Sequence, residues 1–184
     1  MLANRIIAGA SKGYEDTFDT DSTSQYTQYS DAAATWAVSG GELVGTGGTQ
    51  SVFIRNGTAY GDVAIECDIN HAHDGGLALR FVDNSNYYLL TLSDDSGAAP
   101  SQNLRVYKRA SGSFTLLGQA NIAWSRGTSK KIRFQASGTT LSASVDDAQV
   151  ISVTDSAIAG PGGIGVRNST AGKQAKYQAF RWGL

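Results

Sequence analysis

The chain has 184 residues, 41% of them hydrophobic, which is one domain's worth of chain with enough apolar material for a closed core. Lys and Arg total 15 against 16 Asp and Glu, a formal net charge of -1, so no chain-wide field favours nucleic acid or an anionic membrane, and neither is expected as a partner. The single cysteine, Cys67, excludes an internal disulfide framework, and 22 glycines against 2 prolines, among many Ser, Thr, Asn and Asp, describe short strands joined by tight turns.

Residues 1–13 precede the first strand-like segment. Met1 to Ala10 carries one cation, Arg5, and the short apolar run Ile6-Ile7-Ala8, below the roughly 7–15 residues of a secretory h-region. No stretch approaches the ~20 apolar residues of a membrane span. The expectation is a chain made without export signal or anchor, opening on a short docking arm whose contacts are Leu2, Arg5, Ile6 and Ile7. The sandwich domain, 14–184, begins with Asp16-Thr-Phe-Asp19, and Gly45-Thr-Gly-Gly48 reads as a turn. From Asp62 to Asn70, Val63, Ile65, Cys67 and Ile69 alternate with Asp62, Ala64, Glu66, Asp68 and Asn70, giving one core face and one wet face. In 75–82 Leu77, Leu79 and Phe81 share a face. Asp83-Asn-Ser-Asn86 then supplies turn chemistry, and Tyr87 to Leu92 completes a hairpin. Further strands are read at 104–109, 113–117, 130–136, 140–145 and 149–153, and a closing strand from Lys176 to Trp182 is expected beside the opening one. Many short strands at this spacing, with no helical period, predict an all-β, two-sheet antiparallel jelly-roll sandwich.

The order Asp16-Thr-Phe-Asp19, Trp36 with Gly41-Glu-Leu43, Gly61 to Ile69, Gly75 to Phe81, Tyr87 to Leu90, Leu104 to Arg109, Leu141 to Val145 with Val150 to Val153, and Gly162-Gly-Ile-Gly-Val-Arg167 resembles the concanavalin A-like and laminin-G-like sandwich superfamily. The resemblance runs from about Tyr14 to Leu184 and implies the fold. That fold hosts lectins, carbohydrate-binding modules, glycosidases and virion proteins, so function has to be sought in a site. Trp36 reads as a core plug rather than a sugar platform. Gly162, Gly163 and Gly165 let a late strand bend tightly against its neighbours.

Glu66-Cys-Asp68, followed by His71, is similar to the Glu-x-Asp-x-x-Glu strand of family-16 glucan hydrolases, which need two close carboxylates. Here Asn70 or His71 stands at the third acidic position, and the wet face of a half-buried strand accounts equally well for Glu66 and Asp68. No catalytic residue is assigned and no enzyme is expected. His71 and His73, with Asp74 beside them, are a candidate divalent-metal pair short of ligands, and a solvated loop is the preferred reading. No organic cofactor is expected. Structural calcium is a candidate through Asp16, Asp19 and Asp83, with Asp21 and Asn84 as further oxygen donors. For sugar binding, a ring must stack on a pyranose while polar groups bond its hydroxyls; Tyr87, Tyr88, Arg105, Tyr107 and Trp124 are the candidates.

The opening Met-Leu-Ala-Asn-Arg-Ile-Ile-Ala-Gly-Ala is similar to the short starts of bacteriophage tail and particle-surface proteins. The first functional expectation is therefore a non-enzymatic virion structural protein, a capsid decoration or tail component, docked to other virion proteins or copies of itself through its arm and displaying a glycan-binding face. The alternative is a carbohydrate-binding module of a secreted bacterial enzyme, located outside the cell.

Overall fold

The computed structural model describes residues 13–93, 103–125, 127–169 and 172–183. The arm candidates Leu2, Arg5, Ile6 and Ile7 lie outside the described residues. Fifteen strands follow in chain order: β1 (Tyr14–Asp16), β2 (Tyr26–Tyr29), β3 (Thr35–Ser39), β4 (Glu42–Thr46), β5 (Ser51–Arg55), β6 (Val63–Ala72), β7 (Gly75–Asp83) and β8 (Asn86–Leu92) come first. The remainder are β9 (Leu104–Ala110), β10 (Ser113–Ala120), β11 (Lys130–Ser137), β12 (Thr140–Val145), β13 (Ala148–Thr154), β14 (Gly163–Asn168) and β15 (Gln174–Trp182). One 3-10 turn, Thr23–Gln25, leads into β2. No helix among the described residues is long and apolar enough to cross a membrane.

Two antiparallel sheets stack as a sandwich. One runs β13-β12-β11-β6-β15-β4-β3 with β1 added on β15, and the other runs β10-β9-β8-β7-β14-β5-β2. The expected pairing of the chain's two ends is present, Tyr14 opposite Trp182 and Asp16 opposite Phe180. The hairpin read from turn chemistry, β7–β8, is present, and β9–β10 and β12–β13 also pair antiparallel.

The interior is filled from both sheets by Leu43, Ile65, Cys67, Ile69, Leu77, Leu79, Leu90, Val106, Phe134, Leu141, Ile164 and Tyr177, among others. Each such large apolar side chain contributes about 1.5–3 kcal/mol on leaving water. The alternation of facing read in 62–70 holds, with Val63, Ile65, Cys67 and Ile69 in the core cluster, but the other face is not uniformly wet, since Ala64 and Glu66 are buried. Cys67 is wholly buried, where desolvation pushes its thiol up. Trp36 is half-buried against the core cluster and stacks on Phe53 with ring centroids 4.8 Å apart and planes at 4°, in line with the plug reading.

Two expectations are corrected. Gly45 is strand, not turn, because β4 runs to Thr46; its missing side chain makes room for Trp36, whose Cζ3 would lie 2.6 Å from a Cβ at Gly45. Phe81 does not share a face with Leu77 and Leu79. Arg80 sits at φ 47, in the left-handed region, and the β7–β8 register shifts between Leu79 and Asp83. This irregularity reverses the alternation. Phe81 turns outward, and the Arg80 side chain, 2% exposed, turns inward to donate to the carbonyls of Gly61, Ile158 and Gly138 at 2.7, 3.0 and 2.6 Å.

Candidate functional site

The outer face of the seven-stranded sheet, turned away from the sandwich interior, carries a second apolar cluster of Val52, Ile54, Ala78, Phe81, Tyr87 and Leu89, with Tyr107 packed on it. Register sets this arrangement. Tyr87 of β8 lies opposite Arg109 of β9, Leu89 opposite Tyr107 and Thr91 opposite Arg105, so alternate residues of both strands point outward in matched rows. Aromatic rings cross the face in series: Tyr29–Phe81 at 4.8 Å, Phe81–Tyr87 at 5.5 Å, Tyr87–Phe114 at 6.3 Å and Phe114–Tyr107 at 6.2 Å. Phe114, 38% exposed, is the most open ring of the series after Tyr29, and the Arg109 guanidinium lies 5.1 Å from its centroid.

Beside Phe114 the face opens into a cavity of about 370 Å³. Leu89, Thr91 and Ser93 come from β8 and its end, Arg105 and Tyr107 from β9, His73 and Asp74 from the β6–β7 turn, and Gln50 and Arg167 from the far side. Depth comes from Gly76, which lies between Thr91 and Arg167 in the ladder. Any Cβ at Gly76 would strike the Leu90 carbonyl oxygen.

One wall is fixed by a buried ion pair. The Arg167 side chain, 4% exposed, places Nη1 2.6 Å from Asp74 Oδ1 and Nη2 3.1 Å from Asp74 Oδ2. Gln50 Oε1 accepts from Nη2 at 2.7 Å and from Nε at 3.3 Å. Underneath, Tyr177 of β15 reaches from the opposite sheet, accepting the Gly76 N–H at 2.8 Å and donating to the Arg167 carbonyl. Burial pushes the Tyr177 phenol well above its ordinary range. The other guanidinium of the cavity is different: half-buried Arg105 meets no carboxylate among the described residues, its cross-strand neighbours being Thr91 and Gln119.

The five sugar-binding candidates separate. Arg105 and Tyr107 line the cavity. Tyr87 is on the same face but wholly buried beneath Phe114, where desolvation raises its phenol. Tyr88, its chain neighbour, necessarily points the other way; it sits in the interior with its hydroxyl donating to Asp155 Oδ1 at 2.7 Å. Trp124 packs on the interior cluster and donates to the Thr128 carbonyl at 2.8 Å. Tyr87, Tyr88 and Trp124 therefore offer no ring to a ligand in this cavity.

Glu66 and Asp68 lie on the outer face of the other sheet, and Arg181 holds both, Nη1 3.0 Å from Glu66 Oε1 and Nη2 3.0 Å from Asp68 Oδ2, with Nε 2.9 Å from Glu15 Oε1. Partial burial works against that guanidinium's charge, but Asp68 and Glu15 outweigh it and hold Arg181 above its ordinary range. Asn70, at the third position of the strand, donates its amide to Glu42 and carries no proton to transfer.

The metal candidates do not converge. Asp16 accepts from the Phe18 N–H and the Tyr26 hydroxyl, Asp19 from Thr17, Asp21 from Thr23, and Asp83 from Ser85 and Asn86. Asn84 donates to Asp31. Asp74 belongs to Arg167, and His73 lines the cavity. Among the described residues no group of three His, Cys, Asp or Glu is placed to hold a metal ion.

Sequence reasoning missed Arg167, Gln50, Phe114, Thr91 and Ser93 as site residues. Arg167 had a usable signal: a lone cation in the otherwise apolar, glycine-rich run Gly162 to Val166 needs a buried partner or an unusual surface.

No protein family and no curated protein matches the sequence. The fold, however, has close counterparts among solved structures. It is similar to the carbohydrate-binding module CBM66 from Bacillus subtilis, 20% identical over 85% of this chain and 94% of that one, with a TM-score of 0.72. A Bacillus subtilis protein of unknown function with a galectin-like fold gives 13% identity, 92% and 94% coverage and a TM-score of 0.74. Bacillus licheniformis beta-glucanase gives 13%, 97%, 100% and 0.70. The chain is a concanavalin A-like, galectin-like β-sandwich.

Proposed function

We propose that this domain is a non-catalytic glycan-binding module that takes its ligand in the cavity on the outer face of the seven-stranded sheet. One observation carries the reading: two accessible rings, Phe114 and Tyr107, stand beside the hydroxyls of Thr91 and Tyr107 and the guanidinium of Arg105, in a cavity of about 370 Å³. That is the combination a sugar needs, apolar ring faces for its C–H surface and directional groups for its oxygens. The likeness to a carbohydrate-binding module supports it, whereas the virion reading draws no support from the solved structures named above. A hydrolytic reading is not adopted, because Glu66 and Asp68 face Arg181 rather than an open cleft. An extracellular setting goes with the module reading.

The test is affinity electrophoresis of the full chain through gels containing neutral and acidic polysaccharides, with reducing-sugar release measured in parallel. Retardation by at least one polysaccharide, weakened by Tyr107→Ala and without sugar release, is expected. Migration unchanged in every gel overturns the module reading, and sugar release abolished by Glu66→Gln overturns its non-catalytic part.

A further inference from the structure

We propose that the glycan taken by this cavity is anionic, bearing uronic acid residues, and that Arg105 receives the carboxylate; this rests on the glycan-binding reading above. The argument is a count of donors and acceptors. Carboxylate and amide oxygens are the strongest side-chain acceptors for the hydroxyl protons of a neutral sugar. Among the described lining residues the carboxylate and the amide oxygen already receive Arg167, which leaves hydroxyls as the remaining side-chain oxygen acceptors. Both carboxylate oxygens of Asp74 receive Arg167 at 2.6 and 3.1 Å, and Gln50 Oε1 receives it twice, at 2.7 and 3.3 Å. The Ser93 hydroxyl donates to the His73 carbonyl at 2.7 Å.

What the cavity presents instead is donors, above all the guanidinium of Arg105. Arg167 and Asp74 cancel, so among the described lining residues the remaining guanidinium is that of Arg105. Its neighbours on either strand, Thr91 and Gln119, bring no carboxylate, and Asp74 of the lining is paired with Arg167. A half-buried guanidinium offers a planar pair of N–H groups matched to a carboxylate's two oxygens, and such a charge-assisted pair is stronger than a neutral hydrogen bond. Tyr107, two residues along β9 on the same face, would support the ring that carries the acid.

The experiment compares polygalacturonate, alginate and glucuronoxylan with their carboxyl-reduced counterparts, which keep the sugar backbone and lose the charge, and includes dextran sulfate. Affinity is read by calorimetry on the full chain, Arg105→Gln and Arg105→Lys. Among the described residues Arg105 makes no ion pair, and an unchanged melting temperature checks that the variants are folded. The expected result is binding of an acidic polysaccharide, loss of binding on carboxyl reduction, weakening with added salt, and a loss of about tenfold or more in Arg105→Gln, partly recovered in Arg105→Lys. Equal binding of the reduced polysaccharide, or an unaffected Arg105→Gln, overturns the anionic assignment and leaves the module reading standing. Binding of dextran sulfate alone overturns the uronate and assigns a sulfate. No binding to any polysaccharide overturns the module reading itself.

Discussion

The hydroxyl of Tyr177, on the eight-stranded sheet, crosses the sandwich interior and donates to the main-chain carbonyl of Arg167 on the seven-stranded sheet. It also accepts the Gly76 N–H at 2.8 Å. Gly76 and Arg167 are register partners, so one phenol joins the two strands directly under the cavity. Tyr177→Phe keeps the ring and orphans a buried donor and a buried acceptor, for an expected loss of about 2–4 kcal/mol. Thermal or denaturant unfolding reads it, and an unchanged midpoint would show that the bridge is dispensable.

Trp36 and Gly45 are coupled by volume. Gly45→Ala would put a Cβ 2.6 Å from one indole carbon and 2.8 Å from the next, an overlap expected to cost about 1–3 kcal/mol. In a Trp36→Leu background the ring is gone and the same substitution should cost much less. A double-mutant cycle that shows simple additivity contradicts this account.

Arg167 and Asp74 are an ion pair in which one partner is almost dry. Asp74→Ala leaves the guanidinium with neutral partners alone, Gln50 Oε1 and the main-chain carbonyl at position 74, an expected destabilisation of about 3 kcal/mol. Substituting the exposed Asp19 in the same way, where the carboxylate accepts from Thr17, should shift the unfolding midpoint by far less.

Two aromatic substitutions separate the sheet faces. Tyr107→Ala is expected to lower glycan affinity about tenfold, equivalent to ~1.4 kcal/mol, because its ring lines the cavity. Trp124→Ala should leave affinity unchanged while lowering stability, since that indole packs on the interior cluster. The reverse ranking would move the binding surface elsewhere.

The Tyr88–Asp155–Lys108 group predicts opposite responses to acid and alkali. Asp155 accepts from Lys108 at 2.6 Å and from Tyr88 at 2.7 Å. Burial alone would raise its pKa, but these bonds outweigh that and hold it below the ordinary carboxylate range. A depressed carboxylate adds stability above its unfolded value, near ~3.9, that is lost as pH falls through the folded value. Asp155→Asn should therefore be destabilised by about 1–3 kcal/mol at pH 7, with the gap to wild type closing below pH ~4. Tyr88, pushed up to about 12 by burial and by Asp155, behaves inversely: its contribution is present below pH ~10 and is lost as pH rises through the folded value. Absorbance at 295 nm should show Tyr26, Tyr87, Tyr88 and Tyr177, all held up chiefly by burial, ionising together with unfolding rather than ahead of it.

Much of the eight-stranded sheet was legible because its strands are at least partly wet on one side. β6, β11 and β12 alternate apolar and polar residues with the period of two that a half-buried strand imposes. β5 and β14 are buried on both faces, so no alternation marks them, and β14 was noticed through its glycines instead. β2 and β3 are short edge strands with polar residues facing out. The site was less legible, and the reason is distance along the chain. Tyr87 and Tyr88 cannot both face a ligand, which the strand period already implies. That neither does depends on Phe114 and Asp155, respectively 27 and 67 positions on. Arg167 finds its partner 93 residues away, a pairing that no local pattern announces.

β5, β7, β8 and β14 are adjacent in one sheet and covered on both sides over most of their length. Their amides should be the last in the molecule to exchange with solvent deuterium, because opening them exposes two apolar layers at once. The rim strands β13 and β10, each with one edge unpaired among the described residues and mostly exposed side chains, should exchange orders of magnitude sooner. The floor of the cavity thus belongs to the part of the molecule that opens only when everything does, and a ligand arriving there meets a surface whose shape was settled at folding.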